Sequence, residues 1–204
     1  MKELEYFKYG QKEMSYLKSK DRLLGNVIDR VGFIRREVMP DTFKALVFNI
    51  VGQQISPKAA QTVNNRITAL LNNITPSTVF GASADELCAC GLSGRKVGYI
   101  KGIADRIIND RLDLADLNNL SDKDIIKALT ALPGIGIWTA EMLMIFSMQR
   151  PDIISYGDSA IRRGMKRVYL LDELTLEQFN IYRSSYSPYG TVASFYLWAA
   201  SKGD

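Results

Sequence analysis

Apolar residues recur along most of the chain at three- and four-residue spacings, the period of an amphipathic helix. Asp41 or Thr42, following Pro40, opens one such run through Phe43, Leu46, Val47 and Ile50. Ser56 followed by Pro57 reads as an N-cap with proline at the first helical position, and Val63, Ile67, Leu70 and Leu71 continue at helical spacing. Ser83 with Glu86 fits a capping box, and Gly91 ends that short helix. Val97, Ile100, Ala104, Ile107 and Ile108 mark another amphipathic segment, and Ser121 with Asp124 starts the next. Thr175 with Gln178 forms a second capping box. A closing helix carrying Phe195 and Trp198 follows Pro188-Tyr189-Gly190. No alternating strand pattern, internal repeat or low-complexity stretch interrupts this series. The pattern predicts an all-α fold.

One connection differs from the others. Leu132-Pro133-Gly134-Ile135-Gly136 lies between two helical runs, and a mostly apolar helix follows from Ile137 to Met148. Pro133 fixes entry into the turn, while Gly134 and Gly136 permit backbone angles closed to other residues and carry no side chain. Amides at the start of the following helix have no intrahelical acceptor and form an anion site, to which a phosphate diester is suited. The competing reading is an ordinary helix–helix turn with a glycine cap.

Composition narrows the chemistry. Hydrophobic residues make up 47% of the 204 residues, enough for a core. No apolar run approaches the ~20 residues of a membrane span, and the mixed, charged first residues are unlike a signal peptide. The expectation is a soluble, cytoplasmic protein with no membrane partner. The net charge of +4 is compatible with a polyanionic partner. Histidine is absent, which excludes Ser-His-Asp and Cys-His catalysis and imidazole-based metal sites. Only Cys88 and Cys90 are present, too few for a zinc or iron–sulfur site, and both read as buried free thiols. Carboxylates, Lys, Tyr, Ser, Thr or the backbone must carry any reaction.

The hairpin, with Asp158 downstream in Asp152-Ile153-Ile154-Ser155-Tyr156-Gly157-Asp158-Ser159-Ala160-Ile161, resembles the helix-hairpin-helix DNA glycosylase superfamily. Ile50-Val51-Gly52-Gln53-Gln54-Ile55-Ser56, Gly91-Leu92-Ser93-Gly94-Arg95-Lys96 and the closing segment Tyr186 to Trp198 resemble the same superfamily, in particular its bacterial 3-methyladenine DNA glycosylase II type. The chain is too short for that type's additional N-terminal α/β domain, and it lacks the cysteine cluster of the iron–sulfur members. Trp138 stands where members with lyase activity place a nucleophilic lysine.

The resemblance implies a two-lobed helical fold with the active site in the cleft between lobes. Residues 42–151 would form the lobe with the hairpin, and residues 1–41 with 152–204 the second, carrying Asp158. It implies a monofunctional enzyme, without cofactor, acting as a monomer on double-stranded DNA that contains damaged bases. Alkylated purines would be flipped out and released by hydrolysis in base excision repair. Asp158 would be the catalytic carboxylate, facing the positive charge that develops on the sugar; it also reads as a helix N-cap before Ser159. Trp138, Trp198, Met142 and Tyr189 would line the base pocket, electron-rich rings suiting a cationic base. The tryptophans read equally as core residues. Gln54 would fill the gap left by the flipped base. Gly134, Ile135, Gly136, Thr139, Lys96 and Arg162 would contact DNA, with Arg95, Arg163 and Lys166 as further cationic candidates. Carbonyls of Leu132 and Ile135 would hold a structural monovalent cation, and no catalytic metal is implied. A non-catalytic lesion-sensing module and a glycosylase for deaminated bases such as hypoxanthine are the rival readings.

Overall fold

The structure is a computed structural model, and residues 4–203 are described. Twelve α-helices occupy most of these residues, with one short 3-10 turn. Among the described residues no helix is long and apolar enough to cross a membrane. The helical starts obey local chemistry. Asp41 caps α3 (Thr42–Gly52) by accepting from the Lys44 amide, and Ser56 caps α4 (Pro57–Leu71) through the Ala59 amide. Thr75 caps α5 (Pro76–Gly81), Ser83 caps α6 (Ala84–Ala89), and Ser93 caps α7 (Gly94–Ile108). Ser121 caps α8 (Asp122–Thr130) and Thr175 caps α11 (Leu176–Tyr186), the latter in the predicted capping box with Gln178. Gly91, at φ +107°, ends α6 where a side chain would meet Val63.

Two corrections to the sequence reading follow. A two-residue ribbon exists: β1 (Glu5–Tyr6) pairs antiparallel with β2 (Glu37–Val38), Glu5 opposite Val38 and Tyr6 opposite Glu37. Strands this short contain one alternation each and leave no period to detect. The two cysteines also differ. Cys90, at the C-cap of α6, is buried, whereas Cys88 is exposed. Positions two apart in a helix face different directions, so a single burial state for both was not to be expected.

The chain divides into two compact units. One, residues 39–143, holds α3 to α8 and the start of α9 (Ile137–Phe146). Its core is Leu46, Ile50, Ile67, Val79, Leu87, Ile100, Ile125 and Leu129, contributed by the inward stripes of successive helices. The other, residues 1–38 with 144–204, holds the ribbon, α1 (Gln11–Lys20), α2 (Arg22–Val31), α10 (Ser159–Tyr169), α11 and α12 (Gly190–Ala200). Leu17, Leu24, Ile28, Ile161, Met165, Phe179, Phe195 and Leu197 fill it. Tyr186 is buried beside Tyr169, which also donates to Asp21, the N-cap of α2. Burial pushes both phenols above the ordinary tyrosine range, so both remain hydrogen-bond donors.

The α10–α12 contact is the tightest feature of this unit. A Cβ on Gly164 would stand 1.9 Å from the Leu197 carbonyl oxygen, a backbone atom that cannot swing aside. Gly164→Ala therefore forces the helices apart. We expect a loss of at least about 2 kcal/mol in urea unfolding, in the upper part of the range of about 1–3 kcal/mol typical of overpacking. A change below about 0.5 kcal/mol would show that the approach is not tight.

Candidate active site

Asp158 lies between the loop after α9 and α10. That loop is sewn to the start of α12 by hydroxyl groups. Thr191 Oγ1 donates to the Arg150 carbonyl (2.6 Å) and accepts from the Ile153 amide (3.0 Å), while Ser194 Oγ donates to the Ile153 carbonyl (2.9 Å). Asp152 accepts from the Gly190 amide (2.9 Å) and from Ser187 Oγ (2.6 Å). A side chain at Gly190 would strike Asp152 and Ile154, so the loop lies directly on that helix start.

On this support Asp158 caps α10. Its Oδ1 accepts from the Ala160 amide (2.8 Å), the Ile161 amide (2.9 Å) and Trp198 Nε1 (3.2 Å). All three donors converge on one oxygen, Oδ1, and the residue is 9% exposed. The positive end of the α10 dipole lies against that oxygen. Trp198 is half-buried, with Phe146 (centroids 5.6 Å, 22°) and Phe195 (6.1 Å, 24°) stacked around it. The indole thus has two tasks, a ring in an aromatic cluster and an N–H on the carboxylate.

Arg36, which sequence reasoning missed, lies over this cluster. Its guanidinium carbon is 5.8 Å from the Phe195 centroid and 5.8 Å from that of Trp198. Its partners are remote in sequence and its own neighbourhood is a charged edge, so no local signal marked it. Tyr189, expected in the base pocket, packs edge-on against Tyr16 (5.1 Å, 84°). Arg162 donates to the Tyr156 carbonyl (2.8 Å) and lies over the Tyr156 ring. Arg163 donates to the Ser201 carbonyl (3.1 Å), and Lys166 is half-buried.

The hairpin belongs to the other unit. Gly134 adopts φ +83°, and a Cβ there would lie 2.4 Å from the Tyr99 ring of α7. Both constraints demand glycine. The Ile135 amide donates to the Leu132 carbonyl (3.2 Å), closing the turn. Gly136 is exposed and α9 begins there, with the Ala140 amide donating to its carbonyl. Trp138 is 44% exposed, whereas Met142, one turn on, is 6% exposed. Ile135 and the Thr139 side chain are buried, so their side chains are not surface groups as DNA contact by side chain would need. They sit on the inner side of the hairpin and could offer only backbone.

Two further elements reach the hairpin within this unit. Gln53 Nε2 donates to the Gly134 carbonyl (2.8 Å), and Lys96 Nζ donates to the carbonyls of Val51 (2.8 Å) and Gln53 (2.7 Å). Lys96 therefore caps the end of α3, where a cation meets the negative end of the helix dipole. Burial lowers its pKa from the usual lysine value. Gln54 is exposed and left-handed, φ +58°, an uncommon conformation for a residue with a side chain. The Gln-Gln pair flagged the segment; which glutamine faces the hairpin depends on the turn after α3, which helical spacing does not define. Arg95 is exposed on α7.

Comparison with known proteins gives a consistent answer. Residues 47–183 match the family described as HhH-GPD superfamily base excision DNA repair protein. DNA-3-methyladenine glycosylase 1 of Schizosaccharomyces pombe is 31% identical over 186 residues, covering 89% of this chain and 80% of that protein. Among solved structures, a DNA-3-methyladenine glycosidase from Bacillus halodurans superposes with a TM-score of 0.87 at 35% identity, over 98% of this chain and 93% of that one. A Schizosaccharomyces pombe 3-methyladenine DNA glycosylase in complex with abasic DNA gives 0.79 at 29% identity, over 94% and 97%.

The cap and any chemistry at Asp158 are separable. Asp158→Asn keeps an Oδ1 acceptor for both amides and the indole, so its unfolding free energy should lie within about 0.5 kcal/mol of wild type. Asp158→Ala removes the acceptor and should cost about 1–2 kcal/mol in the same urea titration. Equal losses in both variants would mean that charge, not acceptor geometry, holds this end of α10.

Proposed function

This chain belongs to the HhH-GPD superfamily of base excision DNA repair proteins, and we propose that it is a monofunctional DNA glycosylase of the 3-methyladenine type, releasing alkylated purines by hydrolysis. The observation that carries this reading is the Asp158 carboxylate, capped by two α10 amides and tied to the Trp198 indole. Departure of an alkylated purine moves its positive charge onto the sugar, and a fixed carboxylate facing the sugar favours that state more than the ground state, in which the charge lies on the base. The same carboxylate orients or deprotonates the attacking water. Its orientation is set before substrate arrives, because both amides and the indole are covalently fixed in folded helices, so little reorganisation is needed at the moment of reaction.

A purine within the DNA stack is out of reach, so the nucleotide must be extruded first. In this proposal Trp198, bonded to Asp158, receives the base, and Gln54 enters the space it leaves in the DNA. The amides at Gly134 and Gly136 hold a backbone phosphate. Gln54 is exposed in the turn after α3, and that accessibility supports the assignment. Lys96 contributes by fixing the end of α3 beneath that loop rather than as a phosphate contact. Absence of lyase activity follows from Trp138: an indole cannot attack the sugar carbon to form a Schiff base, which needs an amine.

The test is release of methylated purines from duplex DNA treated with a methylating agent. Wild type should release free base, and Asp158→Asn should be slowed at least about 100-fold, the scale of a lost charge-stabilising group, while still binding duplex. Borohydride should trap no covalent protein–DNA adduct. Binding without release by wild type would reject catalysis in favour of lesion sensing, and a trapped adduct would reject the hydrolytic mechanism.

A further inference from the structure

Two amides and an indole hold the Asp158 carboxylate from the side of α10 and α12. Its place depends also on its Cα, and thus on the chain before it. That chain is the turn at Tyr156 and Gly157, and Gly157 is exposed. Glycine sets no backbone angle of its own. The backbone closure across the turn is weak. The Asp158 amide reaches the Ser155 carbonyl at 3.4 Å, beyond the usual range of about 2.7–3.2 Å. Something outside the turn must therefore fix it.

Arg162 supplies that hold. It lies four residues past Asp158, on the same side of α10. Its Nη1 donates to the Tyr156 carbonyl at 2.8 Å, a charge-assisted bond. Its guanidinium carbon stands 5.2 Å from the centroid of the Tyr156 ring. One residue thus offers the cation both a carbonyl and a ring face. The ring is anchored in turn, packed edge-on against buried Phe179 of α11 (5.0 Å, 72°). The Arg162 amide, meanwhile, donates to the Asp158 carbonyl (3.1 Å). Arg162 therefore grips the chain on both sides of Gly157, Tyr156 by its side chain and Asp158 by its backbone. We infer that Arg162 is a positioning residue for the Asp158 carboxylate, locking the turn before it from within the helix that Asp158 caps.

This inference rests on the glycosylase reading above and adds a residue to its machinery. It gives Arg162 a different task from the DNA contact that the family resemblance implies. The two tasks leave different marks. A side chain that neutralises a phosphate contributes to affinity, and its loss lowers the salt slope of binding by about one. A side chain that fixes Asp158 leaves affinity alone and acts on the chemical step, where a small displacement of a reacting group costs rate. The half-buried position of Arg162, with its guanidinium on a tyrosine ring, fits the second.

The test is single-turnover release of 7-methylguanine from duplex DNA, with binding to the same duplex measured over a range of salt. Arg162→Met should slow release at least tenfold, keep affinity within threefold and leave the salt slope unchanged. Arg162→Lys, which retains a cationic donor, should bring release back to within threefold of wild type. In an Asp158→Asn background Arg162→Met should cost less than threefold, since the residue acts through that carboxylate. Release within threefold of wild type in Arg162→Met overturns the inference. So does weakened affinity with a salt slope reduced by about one, which marks a phosphate contact. An equal loss in both backgrounds, the sign of a general distortion, overturns it as well. If Arg162→Met fails to fold, Arg162→Ala is held to the same thresholds. No release by wild type rejects the glycosylase reading instead. The hold on the turn is then read by hydrogen exchange: Arg162→Met should speed exchange of the Asp158 amide at least tenfold, and an unchanged rate refutes the role.

Discussion

The closest constraint in the molecule is the approach of α10 to α12 at Gly164. Only a hydrogen atom separates the α10 backbone from the Leu197 carbonyl. Asp158 stands at the start of α10 and Trp198 directly follows Leu197, so the spacing of two helix backbones sets the spacing of carboxylate and indole. A pair of side chains on loops would be held less well, because each loop has its own freedom. Here a polar contact of 3.2 Å inherits the rigidity of a helix–helix contact. The hydroxyl-rich seam between residues 150–155 and the start of α12 adds to this from the other side.

Placement of Asp158 at a helix start resolves an apparent choice between architecture and chemistry. A capping carboxylate and a charge-stabilising carboxylate need the same things: ionisation, fixed orientation and shelter from water. The amides of Ala160 and Ile161 fix the orientation while being satisfied themselves. Cap and catalytic carboxylate, both read at Asp158 from the sequence, are compatible roles for one side chain.

The sequence made some of this legible and hid the rest, along a physical line. Interactions spanning three or four residues were readable: the caps at Asp41, Ser56, Ser83 and Thr175 sit where side-chain chemistry within one turn requires them. The hairpin was readable because glycine at Gly134 answers a backbone demand. Arg36 was not, since its significance lies in Phe195 and Trp198, brought near by folding alone. Lys96 was read as a surface cation because its carbonyl partners at Val51 and Gln53 have no signature in a side-chain alphabet. Thr139 illustrates the same limit: a polar residue beside an exposed tryptophan, turned inward by the phase of α9.

The bond from the Gln53 side chain to the Gly134 carbonyl has a mechanical consequence. Gln54 projects from a loop whose preceding residue grips the hairpin, while the Lys96 ammonium clamps the same backbone from beneath. Load applied at the tip of this loop passes along three hydrogen bonds, one into the hairpin and two into Lys96 of α7. Loop and hairpin therefore behave as the two arms of one lever, and softening either arm slackens the other.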